Sequence, residues 1–170
     1  MYGQAAGGVD LHSFFDLLAI HELAHRFPHQ VPFRFPRKWL TEIFPNLCLH
    51  AYVTSVEPER IPDLEVFPEA VAAVAASRMP HHSPADFEAL YVDVGPQAYG
   101  WYQCRLHAAA KRVYDAAGVS VVRRLWDCFC RSSVSGGDLP NQQLARILAR
   151  DVHPELAAVL TTWPDLNASD

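Results

Sequence analysis

The stretch Ala19-Ile20-His21-Glu22-Leu23-Ala24-His25-Arg26-Phe27 places two histidines four residues apart. On an α-helix, residues at i and i+4 lie one above the other, so these two imidazoles converge on one point, as two ligands of one metal ion do. Glu22 projects close to the same face, where a carboxylate serves as general base toward a metal-activated water without being a ligand itself. The flanking residues ask for a helix from about Ser13 to Phe27. Phe14, Leu17, Leu18, Ile20, Leu23 and Ala24 form its apolar stripe, Asp10 or Ser13 supplies a cap, and Pro28 ends it. The competing reading is an amphipathic core helix whose histidines are only hydrogen-bonded.

Outward from this helix, the remaining pattern is helical almost throughout. Residues 1–9 read as a small, glycine-rich leader. After the helix, Pro28, Pro32 and Pro36 impose an extended connection in which Phe33 and Phe35 pack. A second helix runs from Arg37 to about Ser55 with a kink or break at Pro45. Residues 57–67 read as an ordered loop, followed by an alanine-rich helix from about Pro68 to Ser77. Ser83-Pro84 starts a short helix to about Leu90. His81 and His82 before it are possible ligands of a second ion, though adjacent loop histidines usually face solvent.

Tyr91 to Pro96 is a punctuated loop, and a long helix from about Gln97 to Ala117 ends at Gly118. Val119 to Arg131 forms the next helix. Residues 132–139 form a flexible link in which Asp138 caps a helix from Pro140 to Asp151, and a last helix spans Pro154 to about Thr162. The fold class expected is mainly α: one domain over residues 1–170, seven or eight helices, and little or no β-sheet.

Composition narrows the function classes. At 170 residues the chain is long enough to bury a core without staples, and 50% apolar with 19% charged residues is ordinary for a globular protein. A formal charge of −5 argues against nucleic acid or an anionic membrane as the main partner. The cysteines Cys48, Cys104, Cys128 and Cys130 show neither Cys-x-x-Cys spacing nor a disulfide framework. Four reduced thiols, no secretory signal and no window of membrane-spanning length point to a cytoplasmic protein.

A catalytic zinc takes three protein ligands and keeps one position open, so His21 and His25 need a partner. Glu42 is the best candidate. It lies near the start of the second helix, with sixteen residues between it and His25, enough for the chain to reverse direction. A helix-start carboxylate favoured by the helix dipole is the alternative reading of Glu42. His29 is a weaker choice because Pro28 disrupts the backbone before it, and Val31 occupies the place of a metzincin's third histidine.

Together, HELAH at 21–25 and Trp39-Leu40-Thr41-Glu42 resemble the gluzincin metallopeptidases, in particular their zinc aminopeptidase branch. The resemblance implies a zincin-like helical domain, one Zn²⁺ per chain held by His21, His25 and Glu42, and Glu22 as general base and acid. It also places Asn46, one turn beyond Glu42, where some gluzincins orient a ligating histidine, with capping near Pro45 as the other possibility. Tyr102 or Tyr99, near the start of a later long helix, takes the place of the oxyanion donor, and either also suits packing. Arg105, one turn further on, is a candidate for holding a substrate carboxylate or simply a solvated cation.

The expected function is therefore a zinc-dependent hydrolase acting on a peptide or amide bond through a metal-activated water. Zincin catalytic domains place a β-sheet before the HExxH helix, and only about a dozen residues precede it here. That departure motivates two alternatives: a gluzincin-derived tailoring enzyme acting on a non-peptide small molecule, and a non-catalytic, zinc-stabilised helical interaction module.

Overall fold

A computed structural model describes residues 11–31, 34–130 and 139–162. Among these residues the chain is mainly α, with eight α-helices and no strand: α1 (Leu11–Ala24), α2 (Lys38–Val56), α3 (Ile61–Ala72), α4 (Pro84–Leu90), α5 (Pro96–Ala117), α6 (Ser120–Cys130), α7 (Asn141–Ile147) and α8 (Pro154–Thr162). The leader at 1–9, Asp10, Phe33 and residues 132–138 of the expected link lie outside the described residues.

Four helices build the part of the fold that holds the site. α1 packs on α2, α2 on α5, α5 on α3, and α3 back on α1, which closes a ring. The small cluster of Leu17, Leu49, Val53 and Leu64, all almost fully buried, joins α1, α2 and α3. A larger core built on α2 and α5, including Leu40, Ile43, Leu47, Trp101, Leu106 and Val113, continues into α6, α7 and α8.

Several element boundaries differ from the sequence expectation, each for a local reason. α1 starts at Leu11 and ends at Ala24, so Ser13 lies inside it, and its backbone carbonyl accepts from Arg60 Nη2 at 3.0 Å. The helical pattern persists one bond further, since the His25 amide still donates to His21 O at 3.3 Å, and a short 3-10 turn at Pro28–Gln30 follows. α2 runs unbroken through Pro45, which is itself buried.

The expected loop at 57–67 is instead a 3-10 turn, Pro58–Arg60, and most of α3. Pro62 falls within the first turn of α3, where its missing N–H costs nothing, and Leu64 and Pro68 are buried. The alanine-rich run ends as helix at Ala72 rather than Ser77, so alanine propensity alone does not carry it beyond the packed segment. The helix expected over Pro140 to Asp151 is α7 followed by a π-helical turn, Leu148–Val152.

The Ser83 start of α4 is a full capping box: Asp86 N donates to Ser83 Oγ at 3.0 Å, and Asp86 Oδ2 accepts from Ser83 N at 3.2 Å. At the far end of α5, Gly118 adopts φ 65°, and its N–H closes on Tyr114 O at 2.7 Å. The four cysteines are free thiols, and burial pushes Cys48 and Cys104 up to about 12. No helix among the described residues is long and apolar enough to cross a membrane.

Candidate metal centre

The ring of helices brings His21, His25 and Glu42 to one point. His21 Nε2 and His25 Nε2 are 3.0 Å apart, and each lies 3.5 Å from Glu42 Oε2. It is the one group of three or more possible metal ligands among the described residues, which include His81 and His82. Two imidazoles and a carboxylate form a donor set of catalytic zinc. With metal–ligand bonds of about 2.05 Å, the donors of a tetrahedral ion stand about 3.3 Å apart, and the three separations bracket that figure. Two imidazole nitrogens facing each other satisfy one another only through a proton or a cation, and a divalent ion serves both together with the carboxylate. The residues therefore fit such an ion.

The surrounding hydrogen bonds fix the direction of each donor. His21 Nδ1 donates to Asn46 Oδ1 at 3.1 Å, which leaves the His21 Nε2 lone pair for the centre. The Asn46 amide is oriented in turn, because its Nδ2 donates to Glu42 O at 2.9 Å. Asn46 Oδ1 also takes a bond from His107 Nδ1 at 3.2 Å.

Glu42 divides its two oxygens: Oε2 faces the histidines, while Oε1 accepts a short bond from the Tyr91 hydroxyl. Burial works to raise the Glu42 pKa, but hydrogen bonds from His21, His25 and Tyr91 outweigh it and hold the carboxyl well below the usual range. Burial works to lower His25, yet Glu42 and the charge of Glu22 carry it upward. Both shifts describe a pocket that favours a negative carboxylate beside positive charge.

Tyr91 was not legible as a site residue. It occupies φ 54° and ψ −114°, a conformation that a non-glycine residue adopts only at a cost of about 1–3 kcal/mol. Burial and the neighbouring Glu42 carboxylate both raise its pKa, so it remains a donor. Its position is set by Glu88 of α4, whose carboxylate accepts from the first amides of α2, Lys38 N and Trp39 N, at 3.0 Å each. That contact ties the turn carrying Tyr91 to the helix carrying Glu42, and Lys38 Nζ lies 5.4 Å from the centre of the Tyr91 ring.

The centre opens on a cavity of about 800 Å³ lined from α1, α2, α3, α5 and the turn that carries Tyr91. Glu22 lines it, and its charge acts on both His25 and Tyr99. Tyr99 lines it too, with its ring edge-on to Tyr91 at 6.0 Å. Tyr102 does not: it is fully buried, and its hydroxyl donates to Ser83 O at 2.8 Å. Arg105 also faces elsewhere. Its Nη1 donates to Ala72 O at 3.0 Å, its guanidinium lies over Trp101, and it borders a separate cleft of about 170 Å³ with Arg112.

Helix geometry explains this separation. Pro96, Tyr99, Gly100, Gln103, Cys104 and His107 form one stripe of α5 facing the cavity. At about 100° per residue, Tyr102 projects about 130° from the middle of that stripe and Arg105 about 170°. Tyr99, Gln103 and His107 recur every four residues on this face, but α5 also carries Arg105, Lys111, Arg112 and Asp115 elsewhere, so their spacing alone does not single it out in the sequence.

No protein-family model, curated protein or solved structure matches this chain.

Proposed function

We propose that the chain is a zinc-dependent hydrolase of gluzincin type, acting on an amide bond, with His21, His25 and Glu42 as ligands. The observation that carries this reading is the convergence of two imidazole Nε2 atoms and one carboxylate oxygen at 3.0 to 3.5 Å, beside a cavity that also presents Glu22. A zinc ion held there would supply Lewis-acid chemistry, polarising a substrate carbonyl and acidifying a water molecule. Glu22 would serve as the general base that takes a proton from the attacking water and passes it to the leaving amine as the carbon–nitrogen bond breaks. Tyr99, raised in pKa first by burial and then by the Glu42 charge, keeps its proton and donates to the developing oxyanion. Asn46 and Tyr91 hold His21 and Glu42 in their donor directions.

The test pairs zinc content with turnover on fluorogenic amides and esters carrying either aminoacyl or fatty-acyl groups. Glu22→Gln is expected to keep one zinc per chain and to lose turnover about 10²–10⁴-fold, whereas His25→Ala loses both. An active Glu22→Gln variant refutes the mechanism.

A further inference from the structure

The cavity beside the centre is divided by chemistry. Polar side chains gather around His21, His25 and Glu42, while Phe14, Phe15 and Leu18 of α1, Phe67 and Val71 of α3, and Cys104 of α5 supply apolar wall. Phe14 lies 5.1 Å from Phe67 and 5.5 Å from Phe15, ring centre to ring centre, so these side chains form a continuous aromatic surface. Phe15 is 56% exposed although it borders the cavity, an apolar area that an occupant would cover. Along α1, Phe14 and Phe15 stand about 10 Å from His21, which sets the reach of an apolar body whose polar head sits at the centre. A volume of about 800 Å³ lies within the roughly 300–1,000 Å³ that accommodates small organic ligands.

Charge selects further. Among the described cavity-lining residues there is no Lys or Arg, and the charged side chains are Glu22 and Glu42. A divalent ion balances those two carboxylates, which leaves a site suited to a neutral carbonyl compound. Arg105, the expected anchor for a carboxylate, is turned to another cleft. No strand is present among the described residues to pair with an extended peptide backbone.

We infer that the substrate is an uncharged acyl amide or ester with a medium-length apolar acyl group, its carbonyl at His21, His25 and Glu42 and its chain against Phe14, Phe15, Phe67 and Val71. This rests on the metallohydrolase reading above, and the test separates the two. Zinc uptake by the full chain is measured first, followed by calorimetric titration of the zinc-loaded protein with acetohydroxamate, hexanoylhydroxamate and octanoylhydroxamate.

Full burial of a methylene is worth about fourfold in affinity, so octanoylhydroxamate, six carbons longer, is expected to bind roughly a hundredfold more tightly than acetohydroxamate even with only about half of the added chain buried. Val71→Trp, which fills the cavity, and Phe15→Ser, at an exposed position, each retain zinc and flatten that gain at least tenfold. Equal affinities along the series, or tighter binding of leucine hydroxamate with its free ammonium group than of hexanoylhydroxamate, overturn the inference while the metal centre stands.

If the chain takes up no zinc, the parent reading fails, and the occupant is tested on the metal-free protein by saturation-transfer NMR. Binding of octanamide but not acetamide, abolished in Val71→Trp, supports the apolar ligand. Absence of octanamide binding overturns it.

Discussion

Glu42 shows how much of the centre depends on single hydrogen bonds. One of its oxygens is directed at the histidines because the other is held by Tyr91, and His21 is directed because Asn46 takes its Nδ1 proton. Removing such a partner leaves the ligand in place but frees its orientation, at a typical cost of 10–100-fold in metal affinity. Tyr91→Phe and Asn46→Ala are each expected to weaken zinc binding by about that factor in competition with a chromogenic chelator, with the helical circular dichroism unchanged.

A different prediction follows from His50, whose ring lies tilted 4.6 Å from that of His107 and whose Nε2 is buried without a partner. Burial first, against smaller opposing effects, holds His50 down at about 4, and His107 is also shifted down. Between pH 6.5 and 4 the unfolded chain therefore binds a proton that the folded chain refuses. The stability from this residue is fully present above pH 6.5 and is lost as pH falls toward 4. Urea unfolding of the chelator-treated protein should show about 2 kcal/mol of loss from His50 between pH 7 and 5, and His50→Gln should flatten the slope by that amount.

At the scale of elements, α1 matters most because it carries His21 and leads directly into His25, two of the three candidate ligands. It is attached through Leu17, against Leu49, Val53 and Leu64, and through the Arg60 bond to Ser13 O. Leu17→Ala is expected to cost about 2–5 kcal/mol in denaturant unfolding and to lower zinc affinity with it, since the ligand helix loses its packing. The helix and its paired histidines were legible in the sequence because the i, i+4 spacing is local, and Glu42 was reachable from the short connection to the next helix. Tyr91 was not. It meets Glu42 from 49 positions away, through a turn whose backbone conformation no side-chain pattern announces. On α5, Tyr99 and Tyr102 differ by only about 60° around the axis, too little to separate before the neighbouring helices are in place. α3 was obscured by Pro62 and Pro68: the first is harmless in an opening turn, and the second is buried inside the helix.

For the whole molecule, the four-helix ring and the proposed ion would form one thermodynamic system, because the candidate ligands come from two segments of the chain that the fold must first bring together. Zinc that binds the folded chain stabilises it by about 2.7 kcal/mol at a hundred times its dissociation constant, which for a chain of this size raises Tm by about 5–10 °C. The mainly α character was readable from apolar spacing and proline punctuation, whereas the cavity inside the ring was not, since its walls come from five separate segments, four helices and the turn that carries Tyr91. The most direct measurement is the zinc content and affinity of the purified wild-type chain beside Glu42→Ala. One zinc per wild-type chain, with affinity reduced at least roughly a hundredfold in Glu42→Ala, is the predicted result. A wild-type chain that takes up no zinc, or a Glu42→Ala chain that holds it as tightly as wild type, contradicts the proposed centre.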